Sequence, residues 1–298
     1  MARFKKILLT GINGQVGYAL YPKLASLGEI ITLDRTQLDL FNPEAIRETV
    51  QAHRPDLIIN PAAYTAVDKA ESEPDIAYAI NAIAPGILAE EAAKLGALIV
   101  HYSTDYVFDG TKKTPYIETD ATNPISVYGK TKLAGEAAIG ASGADHLIFR
   151  TSWVYGNHGN NFMKTILRLT TERDSLRIVS DQIGAPTSSD AIADATVSAL
   201  IHWDNSKNGI YHLVNSGETS WHGFACEIVR QYNALKTDKG WPALRATIES
   251  ISPITTSDYP TPAKRPANSR MDCSKLAEIL KTHLPSWDTG LKSILSKR

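Results

Sequence analysis

Lys5-Lys6-Ile7-Leu8-Leu9-Thr10-Gly11-Ile12-Asn13-Gly14-Gln15-Val16-Gly17 is the stretch that decides the fold. A short apolar run leads straight into glycines spaced G-x-x-G-x-x-G, and a helix-compatible segment follows. A strand, a glycine turn and a helix in that order present free N–H groups at a helix start, where a pyrophosphate is favoured. Gly11, Gly14 and Gly17 permit the tight turn and the close approach of backbone to ligand. A glycine-rich turn with no ligand is spelled the same way, so the motif needs support from the rest of the chain.

Support comes first from the next strand. Ile30–Asp34 ends on Asp34, 17 positions after Gly17, where a carboxylate meets the adenosine ribose in dinucleotide-binding folds. A turn or cap role explains an aspartate there equally well. Arg35 beside it offers a partner for a 2′-phosphate, which leaves NADH and NADPH both open.

Further along, Leu57–Asn60, Ala97–Ser103 and Leu147–Ser152 read as buried strands, separated by helical stretches such as Pro43–His53 and Pro74–Leu95. The alternation predicts an α/β fold with a doubly wound parallel sheet of Rossmann type. Beyond about residue 155 the rhythm loosens. Helices are expected over Phe162–Glu172, Ser189–Trp203, Ser220–Lys236 and Asp272–Leu284, with strands at Arg177–Ser180 and Ile210–Val214. Four prolines make Ser252–Pro266 an extended loop. The division expected is a dinucleotide-binding domain over 1–155 and a smaller, irregular substrate domain over 156–298. Segments near 205–235 are candidates to return to the first.

Composition narrows the function. The 298 residues are 43% hydrophobic and 21% charged with a net charge of −1, which favours neither nucleic acid nor membrane. Two cysteines, Cys226 and Cys273, give no disulfide framework, and the eight histidines show no metal-ligand spacing. Gly11 ends the first apolar run too early for a signal or a spanning helix, so a cytoplasmic protein is expected.

Tyr-x-x-x-Lys occurs twice, as Tyr128/Lys132 and Tyr232/Lys236. With 12 tyrosines, chance gives roughly 0.7 such pairs, so context must separate them. Tyr128 follows the fourth strand, whose carboxyl end carries Thr104, and open α/β sheets bind ligands at such ends. Tyr232 has no strand end before it and reads as a packing or surface tyrosine. The chemistry of a ketone reduction needs a proton for the developing alkoxide, and a free tyrosine near pKa 10 is a poor match to neutrality. Lys132, one turn on, is expected to lower that value and to bond the nicotinamide ribose. Thr104 is expected to hold the carbonyl by its hydroxyl.

At this point the chain resembles the extended short-chain dehydrogenase/reductases, and within them the branch that reduces dTDP-linked 4-keto sugars. The resemblance runs almost end to end. It is carried by Asn60–Glu71 (NPAAYTAVDKAE), Ser103–Gly110 (STDYVFDG), Tyr128–Glu136 (YGKTKLAGE), Arg150–Gly156 (RTSWVYG), Ser180–Thr187 (SDQIGAPT) and Lys264–Leu276 (KRPANSRMDCSKL). It implies that Thr104, Tyr128 and Lys132 are the catalytic trio. It implies cofactor contacts from Gly14, Gln15, Val16, Asp34, Asp39, Leu40, Ala62, Ala63, Tyr64 and Thr65. Val67, Asp105, Tyr106 and Trp153 would then face the sugar. Arg265 and Arg270, in the late segment, are candidates for the nucleotide diphosphate.

The implied reaction is reduction of dTDP-4-dehydro-L-rhamnose at C4 by NADPH or NADH, giving dTDP-L-rhamnose. An epimerase or dehydratase of another sugar nucleotide shares the fold and the Tyr/Lys pair. A non-catalytic nucleotide-binding subunit is the reading from a different class, and retention of all three catalytic residue types argues against it. A homodimer is among the assemblies the resemblance allows. Some relatives carry magnesium at a subunit contact through an acidic residue after the glycine loop. Tyr18-Ala19-Leu20 stands there instead, so no metal is expected.

Overall fold

The computed structural model describes residues 3–280 and 284–298. Strands β1 (Lys6–Thr10), β2 (Glu29–Leu33), β3 (Leu57–Asn60), β4 (Leu98–Thr104) and β5 (His146–Thr151) lie within a residue or two of their expected bounds. They form a wholly parallel sheet with a sixth strand, Gly209–His212, in the order β2-β1-β3-β4-β5 and then the sixth beside β5. The order reverses between β1 and β3, and a crevice opens at the carboxyl ends of strands at such a switch point.

Alternation along the strands fixes what each face buries. Ile7, Leu9, Ile59, Val100 and Phe149 pack under helices α1 (Gln15–Leu24) and Ser189–His202. Leu8, Ile58, Ile99 and Ile148 pack under α2 (Pro43–His53) and the helices that follow β3 and β4. The expected helix over Pro74–Leu95 is built from three pieces. After a short α3 (Val67–Ala70), α4 (Pro74–Tyr78) passes through a π-turn at Ala79–Ile83 into α5 (Ala84–Leu95). α6 (Val127–Ala141) carries the Tyr128/Lys132 pair.

The second half supplies β6 (Val154–Tyr155), α7 (Phe162–Glu172), β7 (Leu176–Val179), β8 (Ile183–Gly184), β9 (Thr187–Ser188) and α8 (Ser189–His202). The sixth sheet strand is therefore β10. It is followed by β11 (Thr219–Ser220), α9 (Trp221–Lys239), β12 (Ile251–Ile254), α10 (Ser274–Leu280) and α11 (Trp287–Ser296). A separate apolar core joins α7, α9 and α11 through Ile166, Phe224, Ile228, Leu291 and Ile294. The expected loop over Ser252–Pro266 begins instead as β12, which pairs in parallel with β7 and includes Pro253. A two-stranded ribbon leaves one edge of each strand free, which is where proline is tolerated. The expected helix Asp272–Leu284 starts at Ser274, and its residues 281–283 lie outside the described residues. Helix α11 was not anticipated.

Candidate active site

A cavity of about 540 Å³ lies at the switch point. Its wall gathers Gly11, Gly14, Gln15, Val16, Asp34, Arg35, Asp39, Leu40, Ala62, Ala63, Tyr64, Thr65, Tyr128 and Lys132. The glycines explain how backbone comes so close. Gly11 has φ +59°, and a Cβ there would sit 3.0 Å from Ala62 on the neighbouring strand end. Gly17 lies behind the wall rather than on it. A Cβ at Gly17 would run into the carbonyl of Gly11, so its part is to let α1 close on the loop. The Ncap of α1 is Gly14, which supplies no side-chain cap. The first N–H groups of α1 are thus left for an anion.

Asp34 is held as a turn residue on the rim. Thr36 donates to Asp34 Oδ1 from its amide (2.8 Å) and its hydroxyl (2.6 Å), and Asn13 Nδ2 donates to Oδ2 at 3.4 Å. The Thr36 bonds are the main reason its carboxyl lies below the usual range. Arg35 is exposed beside it. The segment 62–65 is fixed from behind by the buried Asn81 in the π-turn. Asn81 Oδ1 accepts from the Tyr64 amide at 2.8 Å, and its Nδ2 donates to Thr131 Oγ1 on α6 at 3.1 Å. The carbonyl of Asn81 occupies the space that a Cβ at Gly135 would take, so the glycine lets α6 lie against the π-turn.

Helix α6 is set by similar devices. Ser126 Oγ caps it by accepting from the Gly129 amide at 3.2 Å. A Cβ at Gly129 would strike the carbonyl of Tyr106, which brings the first turn of α6 against the turn after β4. Deeper in, Arg150 of β5 donates to Glu136 through Nε (2.9 Å) and Nη2 (2.6 Å), a buried bidentate pair that locks α6 to the sheet.

Tyr128 keeps part of its surface open to the cavity, yet its hydroxyl lies deep. Burial pushes it up to about 12; nearby Asp105 adds to this, and the Thr104 hydroxyl opposes it. The balance differs from the sequence-based expectation, in which Lys132 lowers this value. Burial outweighs any help from the amine, whose Nζ lies 3.0 Å from His101 Nε2. Burial brings Lys132 down to about 7, with Glu136 pulling the other way. Thr104 Oγ1 donates to Asp105 Oδ1 at 3.0 Å and accepts from the Tyr106 amide at 3.2 Å. Asp105 is buried, and burial raises its carboxyl to about 6.

Among the residues expected to face the sugar, Asp105 and Tyr106 lie beside Tyr128. The Tyr106 ring meets that of Tyr128 edge-on at 5.4 Å. Ser269 Oγ donates to Asp105 Oδ2 at 2.5 Å, which ties the late segment to the site. Gly184 leaves room for Trp153, which stacks on Trp221 at 3.7 Å and holds a left-handed φ of +50°. Such a conformation is costly for a bulky residue and is found where structure imposes it. Val67 is half-buried at the start of α3. Arg265 forms a bidentate pair with Asp68 (3.1 and 2.8 Å). Arg270 points elsewhere, to Glu218 at 2.9 Å beside a different cavity. Tyr232 is a packing residue that stacks on Trp241 and donates to the Pro242 carbonyl.

Residues 5–298 match the family described as the RmlD substrate binding domain. The dTDP-4-dehydrorhamnose reductase of Burkholderia thailandensis is 47% identical over 288 residues, 95% of each chain. The chain belongs to this family. Two members of known structure share its fold throughout. A dTDP-4-dehydrorhamnose reductase of Clostridium acetobutylicum superposes with a TM-score of 0.89 at 39% identity, over 98% of this chain and 99% of that one. The Bacillus anthracis reductase in complex with NADP superposes with a TM-score of 0.91 at 35% identity over the whole of both. What sequence reading passed over here are Asn81, His101, Ser103 and Thr151. For the last three, the polar letters inside the buried runs ALIVHYS and LIFRTS were the available signal. Among the described residues no helix is long and apolar enough to cross a membrane, and no cluster of metal-ligating side chains occurs.

Proposed function

We propose that this chain reduces dTDP-4-dehydro-β-L-rhamnose to dTDP-β-L-rhamnose with NAD(P)H. Family membership supports the substrate, and one observation supports the chemistry: Tyr128 and Lys132 stand on the wall of a dinucleotide-sized cavity at the switch point of the sheet. The cavity suits the cofactor. Its walls include the buried hydroxyls of Ser103 and Thr151, both without a hydrogen-bond partner among the described residues, and an α1 start with no side-chain cap. Gly14 to Val16 would hold the pyrophosphate, Asp34 and Arg35 the adenosine ribose, and Lys132 the nicotinamide ribose. When bound, NAD(P)H supplies the hydride that reaches C4.

The chain's own residues supply the proton and the alignment. The Tyr128 phenol, held protonated by burial, keeps its proton through neutral pH and yields it to the far more basic C4 alkoxide. Thr104, on turning from Asp105, donates a second hydrogen bond to the same oxygen. Asp105, Tyr106, Val67 and Trp153 form the sugar's surroundings, and Arg265 the side toward the diphosphate. Residues 1–155 together with β10 would serve the cofactor and most of the remainder the nucleotide sugar. Two half-buried free thiols, Cys226 and Cys273, suit a reducing compartment and support a cytoplasmic reaction.

Nicotinamide absorbance with purified protein and the keto-sugar tests the reading. Tyr128→Phe should lose at least about 10²–10⁴-fold in rate while binding NAD(P)H as before. Tyr232→Phe should leave the rate unchanged. Equal losses from the two substitutions would refute the assignment of Tyr128.

A further inference from the structure

Thr10, Asn60 and His101 form a row across β1, β3 and β4 on the face of the sheet that carries α6. Thr10 Oγ1 donates to Asn60 Oδ1 at 2.6 Å, and Asn60 Nδ2 lies 3.2 Å from His101 Nδ1. His101 Nε2 in turn lies 3.0 Å from Lys132 Nζ, and among the described residues it is the one hydrogen-bond partner of that amine. All four side chains are 2% exposed or less. A row of polar groups this deep in a sheet is costly unless every member is paired.

A neutral imidazole has one N–H and one lone pair, so the row has two consistent settings. With Lys132 as an ammonium, Nε2 accepts from Nζ, Nδ1–H donates to the Asn60 amide oxygen, and the Asn60 NH₂ turns to Thr10. With Lys132 as an amine, Nε2–H donates to Nζ, Nδ1 accepts from the Asn60 NH₂, and the Asn60 oxygen accepts from the Thr10 hydroxyl. Each neighbouring pair keeps its hydrogen bond in either setting, the Thr10 hydroxyl changing from donor to acceptor.

We propose that His101 is a positioning residue for Lys132, and that the Thr10–Asn60–His101 row holds Nζ in both of its protonation states by reversing direction. The inference rests on the role given above to Lys132. Burial keeps His101 well below the ordinary imidazole range, with the Lys132 charge acting the same way, while Lys132 itself lies at about 7. The lysine is thus the member that changes charge near neutrality. The charged or titratable groups facing this part of α6 are Glu136, paired with Arg150 of β5, Asp105 and Tyr106 in the turn after β4, Glu71, which accepts from the Val127 amide, and Tyr128 itself. A reversible row keeps Nζ in place whether it carries its proton or has lost it to solvent.

Two substitutions separate this from a purely structural histidine. His101→Asn keeps a polar group opposite Asn60 but falls short of Lys132; His101→Gln reaches Lys132 but not both neighbours. His101→Asn should lose about ten- to a hundredfold in kcat/KM, the worth of a buried hydrogen bond to a charged group. The alkaline limb of its pH profile should move to lower pH, because the ammonium has lost its acceptor. His101→Gln should recover most of both. An Asn variant that matches wild type, or that outperforms the Gln variant with an unmoved pH profile, overturns the proposal. If both variants fold poorly, ring-nitrogen NMR of histidine-labelled wild type with NADP⁺ bound decides. His101 should pass from the Nδ1–H to the Nε2–H tautomer across the lysine's titration, and a single tautomer throughout overturns the proposal. Lys132→Met tests the parent reading separately: unaltered rate and cofactor affinity there would remove Lys132 itself, whereas an impaired Lys132→Met beside an intact His101→Asn removes only the row.

Discussion

Replacing Asp105 with asparagine should make the protein more stable and the enzyme slower. The Asp105 carboxyl is buried, accepts from Ser269 and Thr104, and is raised by burial from 3.8 to about 6. That is about 2 pKa units, and at about 1.36 kcal/mol per unit the charge costs the fold up to about 3 kcal/mol. The sign follows from proton binding. The folded state holds this proton more tightly than the unfolded chain, so the cost is complete above about pH 6 and declines as pH falls toward about 4. Below both values it is gone. Asparagine is neutral throughout, and it retains an oxygen for Thr104 and an NH₂ that can donate to the Ser269 oxygen. Urea denaturation of both proteins at about pH 8 and about pH 4 should show the variant ahead by up to about 3 kcal/mol at the higher pH and nearly level at the lower. Catalysis should fall at the same time, since the carboxylate is proposed to face the sugar. A variant less stable than wild type at pH 8, or one with the same advantage at both pH values, would refute the argument that burial of a charge dominates at Asp105.

Lys132→Met should weaken NAD(P)H binding as well as slow the reaction, measured by titration calorimetry and steady-state rates, because one amine is proposed to serve both ribose and proton donor. Arg265→Ala should raise the substrate KM about ten- to a hundredfold with little change in NAD(P)H affinity, the range of a charge-assisted hydrogen bond; equal losses for both ligands would reject its place beside the diphosphate. The neighbours Asp34 and Arg35 should leave the wild type within about tenfold, or about 1.4 kcal/mol, between NADH and NADPH. Asp34→Ala should then tilt kinetics toward NADPH and Arg35→Ala toward NADH, while a wild-type preference above about a hundredfold would contradict the balance.

The parallel sheet was legible because buried strands such as Leu57–Asn60 are near-continuous apolar runs closed by turn residues. The glycine loop was legible because close backbone approach admits few other residues. The π-turn at Ala79–Ile83 was not, since its apolar spacing continues that of the helices on either side and its cause is distant: α6 lies on it at Gly135. The pairing of Asp68 with Arg265 joins residues far apart in the chain, which no local pattern reveals. The charge state of the site was misjudged for a related reason. Spacing put Lys132 beside Tyr128 on one helix face, but the burial that shifts both groups is a property of the folded interior.

Deuterium transfer gives the most direct test of the central claim. With NADPH carrying deuterium at the transferable position of the nicotinamide and dTDP-4-dehydro-L-rhamnose as substrate, the label should appear at C4 of the sugar in dTDP-L-rhamnose. Tyr128→Phe should bind both ligands and form that product at least about 10²-fold more slowly. Oxidation of cofactor without label at C4, or a product epimerised with no net consumption of NADPH, would contradict the account.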